Sequence, residues 1–233
     1  TRSGGQSFTS TDVVIALDYI DKKAGALGKP YVVNLSLGGQ QGPHDGRSTE
    51  ASAIDNLVGP GIEDKVAVAA AGNDGNNRIH ARGILNANSV LYESRSFTAD
   101  AGAQVSIDIW TQVSPNTPVN VFIKVAGPDT SFESSGFPPG STSANNSDGF
   151  ITLFSSPFPV IEFGTDIHTD IKITVKKTGS WTISLRGNKG TAGTGQFDMW
   201  IYSGNAEWNS ADGDFSNLVG SPGASNHAIT VGA

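Results

Sequence analysis

Lys65-Val66-Ala67-Val68-Ala69-Ala70-Ala71-Gly72-Asn73-Asp74-Gly75 is the stretch on which the fold class turns. Its apolar run does not alternate with polar residues, which is the habit of a strand buried on both faces in a parallel sheet. Just upstream, Gly59-Pro60-Gly61 ends a helix opened by Ser48 with Glu50 or Ala51, and Ala53, Ile54, Leu57 and Val58 form its apolar face. Before that helix lies a second short apolar run without clean alternation, Tyr31-Val32-Val33-Asn34-Leu35-Ser36. Further back, Ser10 or Thr11 can cap a helix that starts near Asp12. Val13, Ala16, Leu17, Ile20 and Ala24 recur there at helical spacing, and Gly28 and Pro30 stop it. Helix, strand, helix, strand predicts a right-handed parallel crossover.

Downstream of about His80 the pattern changes. Val105–Ile109, Val119–Val125, Ile171–Val175, Trp181–Leu185 and Phe197–Ile201 alternate apolar with polar residues, separated by turn residues. That spacing predicts an antiparallel sandwich or jelly roll. Ser134–Asp148, rich in Gly, Pro, Ser and Asn, reads as a long surface loop. The last stretch, Ser221–Ala233, again looks like a buried strand, so the chain is expected to return to its first sheet. Three parts follow: residues 1–84, an inserted β-sandwich over 85–215, and a return strand over 216–233.

The chain has 233 residues, a net charge of -7 and 37% hydrophobic residues, which suits a globular core and disfavours a nucleic-acid partner. It has no cysteine, which excludes disulfides, thiolate metal sites and a cysteine nucleophile. No apolar run reaches the ~20 residues of a membrane span, and no signal peptide opens the chain. Thr1–Gly5 reads as a loop, so the expectation is a piece of a larger protein. The 29 glycines, with many Ser, Thr and Asn, suggest an extracellular or cell-envelope setting.

Three segments together resemble the subtilisin-like serine peptidases, the subtilases. They are Val32-Val33-Asn34-Leu35-Ser36-Leu37-Gly38-Gly39, then Val66 through Gly75, then Ser221-Pro222-Gly223 through Ala228-Ile229-Thr230-Val231-Gly232-Ala233. On this resemblance the fold class is an α/β parallel-sheet fragment of a subtilase fold, residues 1–80 and about 219–233, interrupted by an inserted antiparallel β-sandwich or jelly roll. Gly42-Pro43-His44-Asp45-Gly46-Arg47-Ser48 is similar to a stretch in a branch related to spore-germination proteases, which also carries a jelly-roll insertion. By itself this stretch reads as a loop, with Asp45-Gly46 a turn and Ser48 a helix cap.

The resemblance implies roles. Asn73 matches the asparagine that donates to the oxyanion of the tetrahedral intermediate. Ser36, Leu37, Gly38 and Gly39 match an open strand edge that pairs with substrate backbone. Ala70, Ala71 and Gly72 match one wall of the pocket for the residue before the scissile bond. Their small side chains imply a roomy pocket for a large apolar or aromatic group, although ordinary packing of alanine in a strand stays open. The plainer reading of Asn73 is a turn residue ahead of Asp74-Gly75.

None of the subtilase triad residues matches a position here. His44, His80, His168 and His227 lack the glycine that follows the family histidine, and Gly140-Ser141-Thr142-Ser143-Ala144 reads as loop composition rather than the family serine motif. The expected function is therefore that of a fragment of a serine endopeptidase, inactive by itself. It supplies the oxyanion asparagine and part of the cleft, with a peptide or protein substrate and the rest of the peptidase chain as partners. No cofactor is evident. Asp212-Gly213-Asp214 reads as a turn, while a structural calcium elsewhere in the parent is consistent with the family. Two alternatives remain open: a non-catalytic scaffold, and a β-insertion that binds protein or carbohydrate. Trp208, outside the strand pattern, is the candidate for an exposed contact.

Overall fold

The computed structural model describes residues 9–85, 91–112, 121–134, 140–155, 166–187 and 195–232. The chain begins with α1 (Ser10–Leu27), β1 (Tyr31–Leu35), α2 (Thr49–Val58) and β2 (Lys65–Ala70). Ten strands follow: β3 (His80–Leu85), β4 (Glu93–Ala99), β5 (Gln104–Gln112), β6 (Val121–Ala126), β7 (Ser131–Ser134), β8 (Gly140–Asn145), β9 (Gly149–Ser155), β10 (Asp166–Val175), β11 (Gly179–Gly187) and β12 (Gly195–Ser203). The last is β13 (Ile229–Val231). Two compact units divide the chain, one drawing on residues up to Asn73 and from Val219 onward, the other on Asp74–Leu218.

In the first unit, α1 starts at an N-cap residue, Thr9, earlier than the spacing predicts. Asp12 sits at the third helical position and accepts from the Thr9 backbone N–H at 2.9 Å, while Thr9 Oγ1 accepts from Asp12 N at 3.3 Å. This reciprocal capping box draws the helix start back to Thr9. Gly28 closes the helix in the left-handed conformation, φ 60°. For α2, Ser48 is the cap and accepts from Ala51 N at 3.2 Å. Val13 and Leu17 of α1 and Ile54 of α2 pack on Val33, Leu35, Ala67 and Ala69. Ile54 is fully buried, a burial that contributes about 1.5–3 kcal/mol.

The strands of this unit form a parallel sheet in the order β1-β2-β13, with Leu35 opposite Ala69 and Val231 opposite Ala70. Burial on both faces, expected from the unalternating runs, does not occur among the described residues. Val32 is 67% exposed, Ile229 57% and Val231 54%, so the helices cover one face and leave the other open. Composition alone does not say which face has a neighbour.

The second unit is built from two antiparallel sheets, β3-β12-β5-β10-β9-β8 and β4-β11-β6-β7. Alternate residues point into one shared core: Val105, Ile107 and Ile109 from β5, Ile171, Ile173 and Val175 from β10, Trp181, Ile183 and Leu185 from β11. Val121 is buried in this core, whereas Phe122 lies under the Arg186 guanidinium, 3.9 Å from its ring centroid. Val119 and Asn120 lie outside the described residues.

The expected fold class is corrected by this architecture. Among the described residues helix is confined to α1 and α2, and ten of thirteen strands lie in antiparallel sheets. The chain is β-rich, not an α/β parallel-sheet subtilase fragment. Helix–strand alternation near the amino terminus is a local signal, and the larger hydrophobic core is made by the antiparallel strands.

Two further expectations change. Part of Ser134–Asp148 is strand, because β8 pairs along β9 from Gly140 opposite Ser155 to Asn145 opposite Phe150. Asn146 Oδ1 accepts from Asp148 N and Gly149 N, both at 3.0 Å, and fixes the hairpin that recruits these poor strand formers. Trp208 is not exposed: it is fully buried, meets Phe97 edge-on at 5.6 Å and donates Nε1–H to Ile79 O at 2.8 Å.

Candidate functional site

Because β1 and β2 run parallel with Leu35 opposite Ala69, Ser36–Gly39 and Ala70–Asn73 leave the sheet at the same carboxyl edge. Ligand sites of open parallel sheets are built at such an edge. A third segment, Gly220–Gly223, is laced to both. Gly39 N donates to Ser221 O at 3.0 Å, Ser221 N to Gly39 O at 3.1 Å, and Gly220 N to Ala71 O at 3.3 Å. A Cβ on Gly220 would lie 2.2 Å from Gly39 O, and one on Gly223 2.4 Å from Ala70 O, so only glycine allows this approach.

Asn73 is exposed, follows Gly72 at φ 108°, and its amide has no hydrogen-bond partner among the described residues. The turn beyond it is held by Asp74 and Asn77, through Asn77 N to Asp74 O at 2.9 Å and Asn77 Nδ2 to Asp74 Oδ1 at 3.2 Å. Gly39 spends both backbone groups on Ser221, while no backbone hydrogen bond engages Leu37 or Gly38 among the described residues. Ser36 Oγ accepts from Asn34 Nδ2 at 3.0 Å.

Leu37, Gly38 and Gly39 also line a cleft of about 380 Å³, together with Thr9, Ser10, Val13, Gln41, Glu50, Ser221 and Pro222. Ala70, Ala71 and Gly72 are not part of its lining. Glu50, at the second position of α2, receives the Ser10 hydroxyl on Oε1, and Ser221 Oγ stands 3.4 Å from Oε2. Ser221 Oγ in turn bonds Ser48 Oγ at 2.6 Å. Glu50 lies in no motif, and Ser221 and Pro222 open the third of the quoted segments without a site role having been read from it. Only the folding of distant segments brings them together.

Asp55 of α2 supports the third segment. Its carboxylate accepts from Ser225 Oγ at 2.5 Å, His227 N at 3.0 Å and Asn226 Nδ2 at 2.9 Å. Burial pushes its pKa up, but the bonds from Ser225, Asn226 and His227 outweigh that and hold it below the usual carboxylate value.

Two histidines have catalytic-looking neighbours. His44 places Nε2 2.8 Å from Gln40 O and Nδ1 3.0 Å from Val219 O, so it ties loops together, while Asp45 is paired with Arg47 at 2.5 Å. In the second unit, buried His80 sits 3.3 Å from Ser216 Oγ and 2.9 Å from Asp198 Oδ1, which resembles a triad. Its Nδ1, however, already faces Asp214 Oδ1 at 2.7 Å, and Ser216 Oγ donates to that same carboxylate at 2.7 Å. Neither ring nitrogen is left to take the serine proton, so this cluster clamps the fold.

Among the described residues no group of His, Cys, Asp and Glu is arranged to hold a metal ion, and no helix is long and apolar enough to cross a membrane. No family model matches the chain, and no curated protein matches it. A protease shares its fold. The solved structure of the Clostridium perfringens CspB protease superposes with a TM-score of 0.75 at 23% identity, over 99% of this chain and 47% of that one. The chain thus spans about half the length of that protease, and at this identity the likeness is one of fold.

Proposed function

We propose that this chain is part of a subtilisin-like serine endopeptidase, in which Asn73 donates to the oxyanion and the Leu37–Gly38 backbone pairs with the substrate. The observation that carries the proposal is the unengaged Asn73 amide at the same sheet edge as unpaired backbone, beside the laced Gly220–Gly223 segment. A donor free to meet the charge that develops on the carbonyl oxygen is what acyl transfer needs. The nucleophile and general base come from outside this chain, so the chain alone does not hydrolyse peptides. The open sheet face with Val32, Ile229 and Val231 supports a further covering segment of the same peptidase. A carbohydrate-binding role for the second unit is disfavoured, since Trp110, Trp181, Trp200 and Trp208 are all buried and none offers a free stacking face.

The test is steady-state kinetics of Asn73→Ala and Asn73→Asp in the full-length protein against one peptide. Asn73→Ala lowers kcat, with little change in KM, by about 3 kcal/mol in barrier, the size oxyanion donors have in peptidases of this kind. Asn73→Asp is at least as harmful, because a carboxylate repels the developing charge. If Asn73 only shapes a turn, Asn73→Asp is tolerated. Near-normal kcat for folded Asn73→Asp removes the assignment.

A further inference from the structure

The cleft beside the Leu37–Gly38 edge has apolar walls and a single formal charge in its lining. Val13, Leu37 and Pro222 supply the walls, and Glu50 the charge, flanked by the hydroxyls of Ser10 and Ser221. Glu50 is not consumed by its own helix. A capping box would use the third helical position, which is Ala51, so the Glu50 carboxylate turns to Ser10 and Ser221 instead. No ion pair engages Glu50 among the described residues. A carboxylate has about four lone-pair sites, and two hydroxyls leave capacity for a cationic donor. A lysine or arginine side chain meets both features, its methylene stem lying on the apolar walls and its charged head reaching the carboxylate.

We infer that Glu50 makes this cleft selective for a lysine or arginine side chain of an extended peptide paired with the Leu37–Gly38 edge, an inference that rests on the edge-pairing reading above. Side chains of a paired strand alternate, so one residue of the peptide enters the cleft while its neighbours point away.

The experiment titrates the 233-residue chain with blocked alanine peptides carrying one lysine, arginine, norleucine or glutamate, followed by calorimetry and by the amide NMR shifts of Leu37 and Gly38. The lysine and arginine peptides are expected to bind about tenfold more tightly than the norleucine peptide, and the glutamate peptide more weakly still. Added salt shrinks the preference, as it does for a charge pair in a partly open site. Glu50→Gln keeps an acceptor for the Ser10 and Ser221 hydroxyls and brings the lysine peptide down to the norleucine level. Glu50→Lys turns the preference toward glutamate. Equal binding of all four peptides, with Leu37 and Gly38 amides shifting, overturns the charge selectivity and leaves edge pairing standing. If no peptide moves those amides, the edge-pairing reading falls and the selectivity falls with it.

Discussion

Replacing Asp55 by alanine tests whether one carboxylate on α2 holds the segment that lines the site. Asp55 accepts from Ser225 Oγ, His227 N, Asn226 Nδ2 and, at 3.3 Å, Asn226 N. Hydrogen bonds to a charged group contribute about 1.5–3 kcal/mol each, but bonds that share one acceptor do not add. Asn226 and His227 are exposed, so water replaces most of what they lose, whereas the buried Ser225 hydroxyl is left without that partner. The balance is a loss of about 2–4 kcal/mol, concentrated in the Pro222–Ala228 segment. Hydrogen exchange with mass spectrometry reads it directly. Amide protection in that segment falls by roughly thirty- to a thousand-fold, while protection of the Ile107–Ile109 strand is unchanged. Asp55→Asn, which keeps one acceptor oxygen, lies between. The same protection declines in the wild-type chain as pH falls through the lowered Asp55 pKa, since a depressed carboxylate stabilises only while ionised. Exchange in the segment within threefold of wild type after Asp55→Ala refutes the clamp.

Trp208→Ala removes a fully buried ring and leaves the Ile79 carbonyl without its indole donor, so unfolding of the second unit should move down by about 3–5 kcal/mol, roughly 10 °C in calorimetry. A shift below about 3 °C would place Trp208 outside the core. The His80 clamp predicts acid lability. Burial pushes the Asp214 pKa up, but the bonds from His80 and Ser216 prevail and hold it down to about 2, and Asp198 is lowered in the same balance. Depressed carboxylates stabilise above their unfolded pKa, so this contribution is intact at neutral pH and fades as pH drops from the ordinary carboxylate range toward 2. His80→Phe should flatten that stretch of the stability profile, and an unchanged profile would exclude the clamp.

Local signals were legible where the cause is local. The stop of α1 at Gly28 and the cap of α2 at Ser48 follow from residues within a turn of each end. The cap of α1 moved to Thr9 because Asp12 completes a box with it, a competition that apolar spacing does not register. Strand runs such as Val105–Ile109 were visible from alternation, but β8 was not, since its Gly and Ser residues are held by β9 and by the Asn146 turn. Exposure at Val32, Ile229 and Val231 has no sequence signal, because apolarity says that a residue can be covered, not that it is. In the site, Asn73 and Leu37–Gly39 lie within contiguous motifs. Glu50 and Asp55 do not, and Ser221, although it opens the third motif segment, meets Ser48 across 173 positions, a pairing that no short-range pattern encodes.

The strand order β1-β2-β13 also sets a sequence of events during synthesis. β13 hydrogen-bonds to β2, yet Asp74–Leu218 must leave the ribosome between them. Until then β2 presents a bare edge, the kind that invites wrong pairing. The cost of joining distant segments rises with the logarithm of the intervening length, by about 0.6 kcal/mol per doubling, and such contacts form late. The second unit eases this by folding on itself: His80 bridges Asp214, which draws its entry and exit points together and turns a long excursion into a short one. Completion of the parallel sheet, and with it the lacing of Gly39 to Ser221, is thereby timed by maturation of the antiparallel unit. A lesion deep in that unit, at Trp208 for instance, would delay completion of the β1-β2-β13 sheet.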